Sequence, residues 1–149
     1  MNYNLSHTTT TIMLTDKHIK QYLLHLSEQI NGKYLDYTDD SIIFTMPIPE
    51  GRYQNIRGFL LHDQRGVFLQ FCSKICALSD VPDLDFKALL AYNLKLIYGK
   101  LVVSDDDFLE LVASLRYDLC TYEEVRTVLY EVGENADRLE RELTGADVY

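Results

Sequence analysis

Clustered carboxylates are the first place to look for chemistry, and this chain has one cluster, Asp105-Asp106-Asp107 after Ser104. Three adjacent carboxylates could hold Ca²⁺ or Mg²⁺. The calcium-loop spacing is missing, because the sixth residue from Asp105 is Glu110 and the twelfth is Arg116. Aspartate tolerates turn geometry, so the run reads as an acidic β-turn. His7, His18, His25 and His62 do not converge in sequence; His18 and His25 share nearly one helical face but bring no ligand partner. Cys72, Cys76 and Cys120 are odd in number and match no zinc spacing, which reads as free, partly buried thiols in a reducing cytosol. No Gly-x-Ser-x-Gly and no glycine-rich phosphate loop is present. The seven glycines stand singly, mostly where elements end, and Gly58, inside a strand, marks a bulge or a close backbone approach. No residue is assigned as catalytic, cofactor-binding or metal-ligating, and no cofactor is expected.

What the chain has in excess is acid and tyrosine. It carries 14 basic and 23 acidic residues over 149 positions, a net charge of −9. Residues 1–79 are neutral, with seven of each sign, and the whole deficit lies in residues 80–149. Such a chain is repelled by phosphate backbones and anionic lipid, so neither nucleic acid nor membrane is expected as a partner. The acidity serves solubility, or the acidic half faces a basic partner. No apolar run is long enough to span a bilayer. The N-terminus is polar without positive charge, which points to the cytoplasm. Eleven tyrosines are present, and Tyr92, Tyr98, Tyr117, Tyr122 and Tyr130 fall in the second half. They serve core and rim packing, or they mark a protein-contacting surface, since tyrosine offers stiff apolar area with a polar tip.

The elements that must position these residues follow from periodicity. Residues 1–14, with Thr8-Thr9-Thr10-Thr11, read as a tail, and 15–149 as a single domain. Thr15 is a plausible N-cap for a helix at 16–29, where Ile19, Leu23, Leu26 and Ile30 recur at helical spacing before Asn31-Gly32. Three strands follow. Ile42, Phe44, Met46 and Ile48 alternate up to Pro47 and Pro49; then come 52–62 and 67–78, joined by Asp63-Gln64-Arg65-Gly66. In the third strand Val67, Leu69, Phe71 and Ile75 share one face, with Phe68, Gln70, Cys72, Lys74 and Cys76 on the other. Asp85 caps a second helix bearing Phe86, Leu89, Leu90, Asn93, Leu94 and Ile97, which Gly99 ends. A hairpin, 100–103 and 108–117, comes next. Thr121 with Glu124 forms a capping box for a last helix with Tyr122, Val125, Leu129, Val132, Ala136, Leu139 and Leu143 at a/d spacing. That stripe packs across the sheet or forms a self-association seam, and its acidic flanks disfavour a parallel self-pair. Gly133 is a weak point within it, at ~1 kcal/mol relative to alanine. Grouped strands favour an α+β fold, in the order α-βββ-α-ββ-α.

Residues 89–145 resemble the YbjN-like proteins, which share a fold with the chaperones of type III secretion effectors. The resemblance runs through Leu90, Asn93 and Leu94, then Gly99, the hairpin from Leu101 to Leu115, and Thr121-Tyr122-Glu123-Glu124 opening the last helix. It implies an antiparallel five-stranded sheet with helices packed against it. It also implies an acidic cytosolic protein, often a homodimer, that binds another protein without catalysis. No site residue carries over. The competing reading is a small-molecule binder or enzyme using a pocket between sheet and helices, lined by Tyr92, Cys72 or His62.

Overall fold

The structure, a computed structural model, describes residues 16–145. Thr15 and the tail at 1–14 lie outside these residues. The elements are α1 (Asp16–Gln29), β1 (Lys33–Thr38), β2 (Ser41–Ile48), β3 (Arg52–Asp63), β4 (Gly66–Ala77), α2 (Phe86–Tyr92), β5 (Gly99–Val103), β6 (Phe108–Arg116) and α3 (Tyr122–Thr144). Six strands, not the expected five, make one antiparallel sheet in the order β1-β2-β3-β4-β6-β5. The second helix therefore follows four strands instead of three.

The unexpected strand is β1. It is an edge strand, almost wholly exposed, so neither of its faces had to be apolar and no alternation betrays it. Its aromatic and β-branched content, Tyr34, Tyr37 and Thr38, is the only local signal. Lys20 of α1 fixes it, donating to Asp36 at 2.6 Å and to the Thr38 carbonyl at 3.0 Å.

The described helices pack on one face of the sheet. The core joins Ile19, Leu23 and Leu26 of α1 with Val125, Val128, Leu129, Val132, Ala136 and Leu139 of α3. They meet Phe44, Met46, Ile56, Phe71 and Leu111 from the strands. The a/d stripe of α3 thus lies on its own sheet, and each fully buried aliphatic side chain contributes roughly 1.5–3 kcal/mol. Thr121 caps α3 by accepting from the Glu124 amide at 3.2 Å, and Gly145 ends it in the left-handed region, at φ 69°.

Gly133 is not the weak point its helix propensity implied. A Cβ there would lie 2.6 Å from the Met46 sulfur and 3.2 Å from Ile56 Cδ1. The glycine lets the helix approach the sheet. One turn on, Asp137 locks that approach by accepting from Arg52 Nε at 3.0 Å and Nη2 at 2.9 Å. Gly58 marks a close approach and not a bulge: the β2–β3 register runs unbroken across it, and a Cβ would meet Ile42 at 3.0 Å. The bulge lies elsewhere, in β4 between Lys74 and Cys76. It turns Cys76 into the core, so Cys76 and Cys72 do not share a face as the plain alternation predicted.

The second helix is also shorter than its periodicity suggested. It ends at Tyr92 and tightens into a 3-10 turn at Asn93–Lys95. Asn93 is not a stripe residue but a tether, its Oδ1 accepting from the Leu101 amide at 2.6 Å.

Replacing Gly133 by valine is expected to destabilise the fold by about 1–3 kcal/mol through overpacking against Met46 and Ile56. Urea unfolding would read this as a lower midpoint at an unchanged slope; an unchanged midpoint would show that Met46 moves aside freely.

Candidate functional site

The residues singled out for chemistry do not assemble. Asp105, Asp106 and Asp107 form the β5–β6 turn. Ser104 Oγ accepts from the Phe108 amide at 3.2 Å, the Asp107 amide donates to the Ser104 carbonyl at 3.0 Å, and Asp107 takes φ 58°. Among the described residues no group of three or more His, Cys, Asp or Glu is placed to hold a metal ion. His18, His25 and His62 are exposed, and among the described residues His25 meets Gln29 and Glu28.

Tyr92, Cys72 and His62 do not line a common pocket. Tyr92 donates to Asn135 of α3 at 2.8 Å, on the helix-bearing side. Cys72 points to the other face, and His62 lies exposed near the end of β3. An apolar cavity between α1 and the sheet, lined by Ile19, Leu23, Ile42, Leu60 and Leu69, holds about 20 Å³, enough for about one water.

All three cysteines are free and buried. Burial, and then the hydrogen bond to Glu110, push the Cys72 thiol up to about 12; burial pushes Cys120 up to about 11, and Cys76 is raised for the same reason. None is a ready nucleophile.

The tyrosines separate into three settings. Tyr117 is in the core. Tyr122 stacks on Tyr22 at 4.5 Å between α3 and α1, and Tyr130 lies beneath Arg126. Tyr92 and Tyr98 flank the feature that stands out in this molecule, an apolar ridge on α2 and the segment after it.

That ridge is Phe86, Leu90, Leu94 and Ile97, exposed to 51%, 69%, 90% and 83% respectively. Of α2 only Leu89 is buried. Leu89 in the core, with Tyr92, Leu96 and Tyr98 packed against it, anchors this segment from behind, and polar tethers from α3 add to that hold. Glu131 accepts three successive backbone amides, from Ile97 at 3.1 Å, Tyr98 at 2.8 Å and Gly99 at 2.7 Å. A Cβ at Gly99 would lie 2.8 Å from Leu111 Cδ2 and 3.2 Å from the Glu131 oxygen, so a side chain there would press on the clamp. Asn135 binds Tyr92, and Arg138 donates to both. The sequence placed the ridge residues at helical spacing but carried no sign that they would face outward. Glu131 could not be found either, because its partners are backbone groups more than thirty positions away.

No family model matches the chain, and no curated protein sequence matches it. Solved structures do match in shape. A chain of the ExsC–ExsE complex aligns at TM-score 0.63 with 16% identity over 91% of this chain and 99% of that one. A chain of the heterodimeric ExoU–SpcU complex from the type III secretion system of Pseudomonas aeruginosa aligns at 0.57 with 17% identity over 86% and 99%. A chain of the HopA1–SchA chaperone–effector complex aligns at 0.55 with 15% identity over 88% and 96%. The chain therefore has the type III secretion chaperone-like fold, as its resemblance implied.

Two outcomes follow from the clamp and the thiols. Glu131→Ala should cost about 1–3 kcal/mol by leaving amides without an acceptor, and hydrogen exchange should show residues 97–99 deprotected ahead of the core strands. The folded protein should resist thiol alkylation that proceeds freely in denaturant. Because the thiols are raised above their ordinary value of 9.0, the stability they contribute is complete below pH 9 and is lost as pH rises towards about 12. Urea melts across that window should show a declining midpoint.

Proposed function

We propose that this chain is a non-enzymatic, chaperone-like protein-interaction module that works as a homodimer through the α2 ridge. The observation that carries the reading is the exposure of Leu90, Leu94 and Ile97 on a segment fixed from behind by Glu131 and Asn135. Large apolar side chains held rigidly in water mark contact surfaces. Tyr92 and Tyr98 at the ridge flank suit an interface rim.

The charge pattern favours a second copy. Asp83 and Asp85 precede the ridge, and Lys87 and Lys95 lie within it. An antiparallel two-fold pairing would set the acids of one copy against the bases of the other, and a two-fold interface is self-complementary by symmetry. The solved structures of similar shape are complexes of two proteins, which supports the protein-binding reading. Three free thiols accord with a reducing, cytoplasmic compartment, and no described helix is long and apolar enough to cross a membrane.

Light scattering should give about twice 17.3 kDa. The double substitution Leu94→Glu and Ile97→Glu touches exposed positions, so circular dichroism should be unchanged while the mass halves. A monomeric parent protein, or a variant that stays dimeric, would remove the ridge from the interface.

A further inference from the structure

The face of the sheet opposite the helices carries its own pattern. Its strand residues include five cations, Lys33, Arg57, Lys74, Lys100 and Arg116, against two carboxylates, Asp63 and Glu110. Arg116 is paired with Asp118 at 2.9 Å, and the excess of positive charge left on this face contrasts with a chain of net charge −9. The face is also aromatic. Arg57 lies 5.6 Å from the Phe59 ring centre, and Lys74 lies 3.7 Å from that of Phe108. Arg65 of the hairpin lies 6.0 Å from Phe68. Cations seated on rings keep their charge outward with little rotamer freedom left to lose.

The registers place Arg57, Cys72, Val112 and Lys100 in one row across β3, β4, β6 and β5. Cys72 and Val112 are buried, and Arg57 and Lys100 are exposed. The row is thus an apolar floor with a cation at each end, three strand spacings or about 14 Å apart. Glu110, beside the floor, accepts from the Cys72 thiol at 2.8 Å and faces Arg57 at 3.6 Å. That leaves Lys74 and Lys100 as the cations of this row and its neighbour with no carboxylate partner among the described ion pairs.

We propose that this helix-free face is a docking surface for an acidic protein segment, one that alternates carboxylate and small apolar side chains. Charge complementarity commits it to that occupant. Carboxylates would meet Lys100 and the outward side of Arg57, which stays half exposed beside Glu110, and the small apolar side chains between them would lie over the already enclosed Cys72 and Val112. A nucleic acid fits less well, because the central Glu110 and the net charge of −9 both oppose a polyphosphate. The inference rests on the chain being a protein binder, but not on self-association through α2.

The test is fluorescence anisotropy with three labelled probes: a Glu-Val repeat peptide, its Lys-Val counterpart and an oligothymidylate. The Glu-Val peptide should bind best and weaken as salt is added. Arg57→Gln with Lys100→Glu should weaken it by at least about tenfold, with circular dichroism reporting that the fold is kept. Leu94→Glu with Ile97→Glu should leave peptide binding intact even where it abolishes the dimer, so the two readings fail separately. Equal binding of the Lys-Val peptide, tighter binding of the oligothymidylate, or indifference to the double substitution would overturn the proposal.

Discussion

The close approach of α3 to the sheet at Gly133 is the contact on which the rest is arranged. With no side chain there, the helix backbone comes down onto Met46 and Ile56. Every other function of α3 is then set by the angle around its axis. Two positions earlier, Glu131 faces the 97–99 backbone; one turn later, Asp137 meets Arg52. Asn135 and Arg138 reach Tyr92. A helix held further from the sheet could not make these contacts with the same residues. The glycine that lowers helix propensity is what allows the helix to be used on more than one side.

The division of labour between apolar and polar contacts is unusual at the β5 end. In the body of the fold, burial does the holding and side chains such as Phe44, Ile56 and Phe71 are wholly enclosed. At α2 and the segment after it, hydrogen bonds to backbone amides join the burial of Leu89, while Phe86, Leu90, Leu94 and Ile97 face water. Backbone amides without partners are costly, so the clamp contributes stability even though it leaves the ridge bare. This combination keeps a surface both apolar and ordered, which lowers the entropy that an association would otherwise have to overcome.

Much of the architecture was legible because its signals are local. Thr121 with Glu124, the stripe from Val125 to Leu139, Asp85 as a cap and the β3–β4 hairpin all depend on neighbours within a few positions. What was not legible depends on distant partners. β1 lacks alternation because an exposed edge strand needs none. The bulge that turns Cys76 inward is a property of the β4–β6 pairing and leaves no mark in either strand alone. Asn93 falls on an apolar stripe by spacing alone, because its acceptor role requires Leu101 to be folded back beside it. The ridge residues keep the helical spacing of their sequence but face outward. Periodicity reports that residues share a face and is silent on what that face meets.

The edge strand β1 bears on how the protein behaves at high concentration. Its outer side has no strand partner among the described residues, so its amides and carbonyls could template the addition of a foreign strand. Lys33 and Asp36 place charges along that border, and the register slips between Asp36 and Thr38. Charge and irregularity are the devices that keep sheets from growing edge to edge into fibrils. A molecule that displays bare leucines on one helix needs that protection elsewhere, since sticky encounters through the ridge would otherwise bring open sheet borders together long enough to zip.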